Sequence, residues 1–263
     1  MATQMQALGI DFGRAADDYG RHRAGFPDSF FRRLVEEGWL RGGARALDLG
    51  TGTGTIARGL AKRGLRVTGL DPSAAMLEQA AVLAREEKLD IAFIEAPAED
   101  TGLEEDSFDL VTAGQCWHWF KPREATAEVR RVLKPGGRLV IAHFDWLPVA
   151  DSVVADTEAL ILAHNPDWRG ARGVGMYPRW GMHLRNAGFE KVESFSFDHL
   201  QAYSHDAWRG RIRASAGIAA GPLDEAGVAR FDTELAELLG SRYPLEPLAV
   251  PHAVWAISAV NPT

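Results

Sequence analysis

Leu47-Asp48-Leu49-Gly50-Thr51-Gly52-Thr53-Gly54 is an apolar run interrupted by one acid and closed by glycines at alternate positions. Glycine lacks a Cβ, so it accepts positive φ and lets a ligand lie against the backbone. The stretch after it, Thr55 to Arg63, reads as a helix whose first N–H groups point at the same spot. Adenosine-type cofactors are the expected guests, and the spacing discriminates among them. A dinucleotide fingerprint places glycines first, third and sixth. Here Gly50, Gly52 and Gly54 stand first, third and fifth, with Thr55 sixth, which demotes a nicotinamide dinucleotide. A phosphate loop would close on Gly-Lys-Ser/Thr, which is missing, so nucleoside triphosphate hydrolysis is not expected. Asp48 is costly to bury alone and needs a cationic or donor-rich partner, for which a ligand's α-ammonium would serve. Asp71 follows the glycines by about twenty residues, where an acid can accept both hydroxyls of a ribose. It can also cap the helix that opens at Pro72.

A second cluster, Cys116-Trp117-His118-Trp119-Phe120, follows the fourth apolar run, where open α/β sheets form their ligand crevice. His118 can deprotonate an acceptor or hydrogen-bond a neighbouring loop. Trp117 and Trp119 can wall an apolar pocket, although core packing is the expected duty of at least one. His143, at the end of the fifth run, is a second base candidate that also reads as a buried structural group. Cys116 reads as a packed small residue. His143-Phe144-Asp145 offers two scattered ligands without a third, so no metal is expected. Further along, Trp168, Arg169, Arg172, Tyr177, Trp180, Trp208, Arg211 and Arg213 are placed to decide which acceptor is taken, the arginines as carboxylate binders or solvated charges.

The elements that must position these groups follow from periodicity. Apolar runs of strand length alternate with amphipathic stretches, the pattern of a parallel sheet covered on both faces. Strands are expected at 46–49, 66–70, 91–94, 108–113 and 138–144, with helices at 55–63, from 71 onward with Met76, Leu77, Ala80 and Leu83 on one face, and at 124–133. Lys134-Pro135-Gly136-Gly137 reads as the stop of that last helix. Beyond residue 150 the rhythm loosens into helical pieces at 153–164, up to 187, 206–218 and 224–239, and strands at 191–197 and 254–260. The insertions among them are candidates for a substrate lid.

Composition narrows the partners. The 263 residues, 46% of them hydrophobic, suffice for one large α/β domain or a domain with a cap. A net charge of -7 disfavours nucleic acid, whose non-specific binding relies on clustered Lys and Arg. The single cysteine, Cys116, excludes an intramolecular disulfide and a thiolate zinc site. The first residues lack the apolar core of a signal peptide, so a cytoplasmic address is expected. Apolar runs such as Leu139 to Phe144 are too short to span a bilayer.

Together, Asp48 to Gly54, Gly69-Leu70-Asp71, Ala98-Glu99, Ser107-Phe108-Asp109-Leu110-Val111 and Leu133-Lys134-Pro135-Gly136-Gly137-Arg138-Leu139 resemble the class I S-adenosylmethionine-dependent methyltransferases, of the small-molecule "type 11" group. The resemblance is good from Asp11 to Phe144 and holds in outline beyond. It implies a Rossmann-like α/β sheet with helices on both faces and helical lid insertions. The whole of 1–263 would be one domain: N-terminal cap helices in 1–40, a cofactor-binding core in 41–149, and a C-terminal part, 150–263, with the lid and the last two strands. In the cofactor site it implies, Asp48, Gly50, Thr51, Gly52 and Gly54 hold the methionine part, Asp71 the ribose, and Ala98 with Glu99 the adenine edge. Gln115 would lie near the methyl group, and Pro72, Met76 and Trp117 complete the set. Residues 12–27 resemble the family's Tyr-x-x-x-Arg-Pro-x-Tyr-Pro opening motif, with Tyr19 and Arg23 matching and Ala24 and Phe26 departing from it. Tyr19 and Arg23 would close over the cofactor, unless this stretch is a solvated amphipathic helix. No Asn/Asp-Pro-Pro-aromatic tetrad of the amino-directed DNA methylases follows the fourth strand. The activity implied is methyl transfer from S-adenosyl-L-methionine to an O, N or S atom of a small molecule, with His118 and His143 as candidate catalytic residues and neither nucleic acid nor membrane as partner. The competing reading is a protein that binds the cofactor without methylating, as a sensor or scaffold.

Overall fold

A computed structural model describes residues 25–215, 217–218 and 223–263. Seven strands form one sheet in the order β3-β2-β1-β4-β5-β7-β6. They are β1 (Arg45–Leu49), β2 (Arg66–Asp71), β3 (Ile91–Glu95), β4 (Phe108–Gly114), β5 (Leu133–Trp146), β6 (Glu190–Tyr203) and β7 (Leu248–Val260). α1 (Asp28–Glu36) precedes β1, and between the strands run α2 (Thr55–Ala61), α3 (Ala74–Glu86), α4 (Pro122–Val132), α5 (Val153–His164), α6 (Arg179–Asn186), α7 (His205–Arg213) and α8 (Glu225–Arg242). The first five strands are mutually parallel, and the sequence steps outward in both directions from the β1–β4 pair. That pair is the topological switch point, so the ligand crevice lies over the C-terminal ends of β1 and β4.

Helices pack on both faces of the sheet's inner strands. α4 and α6 cover one through Ala125, Val129, Val132, Trp180 and Leu184, and α1 and α2 cover the other through Phe30, Phe31, Leu34, Ile56 and Leu60. A third apolar cluster joins α5, α7 and α8 to the far ends of β6 and β7, with Trp208 and Phe231 at its centre. These helices are the insertions expected beyond residue 150. None of the helices described is long and apolar enough to cross a membrane.

The structure corrects the sequence reading in two places. β7 runs antiparallel between β5 and β6, so the sheet is mixed, and both outer strands extend well past the apolar cores expected for them. In β6 the extension Asp198 to Tyr203 alternates in exposure, as suits a strand buried on one face, and it pairs with Ala253 back to Leu248. The all-parallel dinucleotide-binding order, 3-2-1-4-5-6, has no such reversed strand. Second, Lys134-Pro135-Gly136-Gly137 belongs to β5. α4 does end at Val132, with Leu133 already extended two residues ahead of Pro135, but the chain continues directly as strand. Asn261 fastens this stretch by donating its side-chain amide to the carbonyls of Arg130 (3.1 Å), Leu133 (3.0 Å) and Lys134 (3.4 Å).

Candidate functional site

Gly50, Gly52 and Gly54 all have positive φ, at 58°, 55° and 78°, so the turn after β1 coils in a region costly for other residues. A Cβ on Gly50 would lie 2.9 Å from Cys116 Cβ and Sγ, which shows how closely the turns after β1 and β4 pack. Asp48, 2% exposed, finds its donors within the protein. Its Oδ1 accepts from Thr112 Oγ1 at 2.7 Å, and its Oδ2 accepts from Thr51 Oγ1 at 2.7 Å and the Ala57 N–H at 3.2 Å. Burial nevertheless pushes its pKa up to about 6, against the lowering effect of those hydrogen bonds. Asp48 thus ties β1, β4 and the first turn of α2 into one unit without needing a ligand ammonium. Gly25 and Phe26 abut this unit, at Thr55 and at Gly114 and Phe144. Tyr19 and Arg23 lie outside the described residues.

Asp71, at the end of β2, is buried. Its Oδ2 accepts the Gly52 N–H at 2.9 Å and its Oδ1 the Ser73 N–H at 3.0 Å. Burial raises its pKa. The cap of α3 is Ser73, whose hydroxyl accepts from the Met76 N–H, so Asp71 orders the turn before the helix instead of capping it. Each Asp71 oxygen keeps a second lone pair, the capacity a ribose diol needs. Pro72 is half-buried, and Met76 Cε sits over Gly52, 3.6 Å from where a Cβ would be.

At the β4 end, Gln115 takes a positive φ of 61° and donates its side-chain amide to the Phe144 carbonyl at 2.6 Å, bridging to β5. Ala98 is buried, and Glu99 Oε1 accepts the Lys121 N–H at 2.9 Å. Trp117 begins a 3-10 turn, Trp117–Trp119, and is buried edge-on against Phe120, with its indole N–H lacking a hydrogen-bond partner. His118 is exposed, its ring 4.5 Å from Trp119 and 5.5 Å from His143. On β5, His143 is 2% exposed and Nδ1 lies 3.2 Å from Asp145 Oδ2, which also accepts from Tyr177 Oη at 2.6 Å. Tyr177 stacks on Trp180 at 4.4 Å and 9°, and Trp255 stands edge-on to both.

A methyltransferase-domain family matches residues 47–141, the stretch from β1 into β5. An uncharacterized methyltransferase of Mycobacterium tuberculosis is 38% identical over 141 residues, 53% of this chain and 54% of the relative. The 27-O-demethylrifamycin SV methyltransferase of Amycolatopsis mediterranei is 29% identical over 200 residues, 74% of this chain and 71% of the relative. Among solved structures, a candidate type II methyltransferase from Anaeromyxobacter dehalogenans is 26% identical with a TM-score of 0.63, covering 91% of this chain and 97% of that one. Residues 47–141 thus match a methyltransferase domain, in a fold that the chain shares with solved methyltransferases. The chain spans about half the length of the first curated relatives it matches, 54% of each.

The predicted residues form two adjoining groups. The glycine turn, Asp48, Asp71, Pro72 and Met76 gather at the ends of β1 and β2, and Gln115, Trp117, His118 and His143 at the ends of β4 and β5. The second group also includes Asp145, which the sequence offers only as a scattered metal ligand, and Tyr177, which it offers among the residues that decide the acceptor. Asp145 was findable, two residues past His143 on the same face of a strand. Tyr177 lies 32 positions from Asp145 in sequence and reaches it only through tertiary structure. No group of three metal-ligating side chains occurs among the described residues. Beyond Trp146, a cleft of about 570 Å³ opens among Leu147, Val149, Ala159, Leu162, Arg172 and Val174.

Proposed function

We propose that this chain transfers a methyl group from S-adenosyl-L-methionine to an O, N or S atom of a small organic molecule, in the cytoplasm, as one domain across 1–263. The observation that carries the reading is the set of three positive-φ glycines held between Asp48 and Asp71 at the switch point of the sheet. Gly50, Thr51, Gly52 and Gly54 would hold the methionine part, Asp71 the ribose hydroxyls, Pro72 and Met76 the adjacent wall, and Ala98 with Glu99 the adenine edge. When bound, the cofactor supplies a methyl group made electrophilic by its sulfonium. Gln115 and Trp117 would lie toward that group, and His118 at the exposed rim. The protein's part is alignment and the exclusion of water, which can supply most of the acceleration of an in-line displacement. A net charge of -7 supports a small-molecule acceptor over nucleic acid, and a single, buried, free cysteine suits a reducing compartment. The 27-O-demethylrifamycin SV methyltransferase, by its name, methylates an oxygen of an elaborate natural product.

Parallel calorimetric titrations with S-adenosylmethionine, S-adenosylhomocysteine and NAD test this. Binding of the first two and not the third is expected. NAD binding alone would overturn the reading.

A further inference from the structure

His143 is buried at the end of β5, and its Nε2 has no hydrogen-bond partner. Buried polar atoms are nearly always paired, so an orphan marks a missing group. Its other nitrogen is committed. Asp145 Oδ2 lies 3.2 Å from Nδ1 and accepts the Tyr177 hydroxyl at 2.6 Å. Burial, then the Asp145 charge, pushes the Tyr177 pKa up, so its phenol stays a donor and holds the carboxylate in place. A carboxylate can only accept from Nδ1, which puts the proton of the neutral ring there and leaves a lone pair on Nε2. Around the imidazole stand flat rings: Tyr177 at 4.2 Å, Trp180 at 5.1 Å and His118 at 5.5 Å.

We propose that His143 is the general base for a flat acceptor bearing an acidic hydroxyl, a phenol or enol, with Asp145 and Tyr177 as positioning residues. The inference rests on the methyl-transfer reading. A neutral amine or a thioether needs no base, whereas a phenol, with a pKa near 10, is protonated at neutral pH. The acceptor O–H bond breaks and its proton passes to Nε2. The oxygen's electron pair forms the new bond to the methyl carbon as the carbon–sulfur bond breaks and its pair returns to sulfur. The imidazolium that remains faces Asp145 until its proton leaves to solvent. The titratable groups around the ring are Asp145 on β5, His118 from the turn after β4 and Tyr177 ahead of α6. His252 on β7 feels the same carboxylate, and His199 on β6 acts on His252.

Two readouts independent of turnover test this on the full chain. Nitrogen NMR of histidine-labelled protein, with the His143 signal assigned by His143→Gln, should show the neutral ring protonated at Nδ1. A ring protonated at Nε2 overturns the proposal. Second, 4-nitrophenol added with S-adenosylhomocysteine should bind with its absorbance shifted toward phenolate. The shift should be lost in His143→Gln and reduced in Asp145→Asn and Tyr177→Phe. No binding, no shift, or a shift that survives His143→Gln overturns the proposal. Calorimetry on the same samples separates the two readings. Failure to bind S-adenosylmethionine strikes the methyl-transfer reading, whereas intact binding with an unresponsive His143 strikes this inference alone.

Discussion

Asp71 Oδ2 accepts the backbone N–H of Gly52 at 2.9 Å, joining the end of β2 to the glycine turn after β1 across 19 positions of sequence. The contact fixes the acid beside the turn before any ligand arrives, which lowers the ordering cost of binding. Asp71→Asn leaves one good acceptor where two backbone N–H groups, of Gly52 and Ser73, now have one each. Charge-assisted hydrogen bonds are worth roughly 1.5–3 kcal/mol, so S-adenosylmethionine affinity should fall at least about tenfold. Calorimetry measures it, and an unchanged Kd would remove Asp71 from the ribose assignment.

Gly175 has a φ of 63°, and a Cβ there would lie 2.7 Å from Ala253 Cβ and 3.3 Å from Leu147 Cδ2. Its absence lets the loop before α6 lie against β7 and carries Tyr177 to Asp145. Gly175→Ala combines positive-φ strain with a clash, for a cost on the order of 2 kcal/mol. It should lower the melting temperature and disturb the His143 NMR signal together. A Tm loss that leaves His143 unmoved would separate the loop from the Tyr177–Asp145 contact.

The core of the sheet was legible because its signals are local. A buried parallel strand is a short apolar run, and the turn after β1 announces itself by glycine spacing. The outer hairpin was only half legible. On β6 exposed Asp198 and half-buried His199 and Gln201 break the apolar run, while the alternation of exposure continues to Tyr203. The direction of β7 is set by what it pairs with, not by its own residues. Lys134-Pro135-Gly136-Gly137 misled because its turn-forming composition is overruled by Asn261, 124 to 127 positions away in sequence. Asp48 was legible as a group in need of donors. That Thr112 would be one of them depends on the register that sets Asp48 opposite Thr112.

Asn261→Asp offers a direct test of that last clamp. The side-chain amide gives its hydrogens to three backbone carbonyls, and Arg130 Nε donates to its oxygen at 3.3 Å. A carboxylate removes both donor hydrogens and sets negative charge against carbonyl oxygens, leaving Arg130 as its compensation. Unsatisfied buried acceptors cost about 1–3 kcal/mol each, so unfolding in urea should shift to lower concentration by a few kcal/mol of stability. A variant as stable as the parent would mean that the Pro135 stretch holds its path without Asn261.

Asp48 and His252 give stability opposite pH slopes in the same window. Burial pushes Asp48 up to about 6 from 3.8, so the folded state binds a proton the unfolded chain has released, and stability falls as pH rises from about 4 to 6. Burial pushes His252 down to about 4 from 6.5, against the raising effect of its bond to the Val250 carbonyl. There the unfolded chain binds the extra proton, and stability falls as pH drops from about 6.5 to 4. At about 1.4 kcal/mol per pKa unit, each slope amounts to roughly 3 kcal/mol, and the two largely cancel. Asp48→Asn keeps the shape of the group and removes its titration. It should therefore expose the His252 slope and make the protein lose stability toward acid. His252→Phe, packed on Phe144 as the imidazole is at 4.6 Å, should do the reverse and gain stability from pH 6 to 4 relative to the parent. Urea unfolding at pH 4, 5, 6 and 7 reads both differences. Parallel curves for parent and variants would show that neither group carries the titration its burial implies.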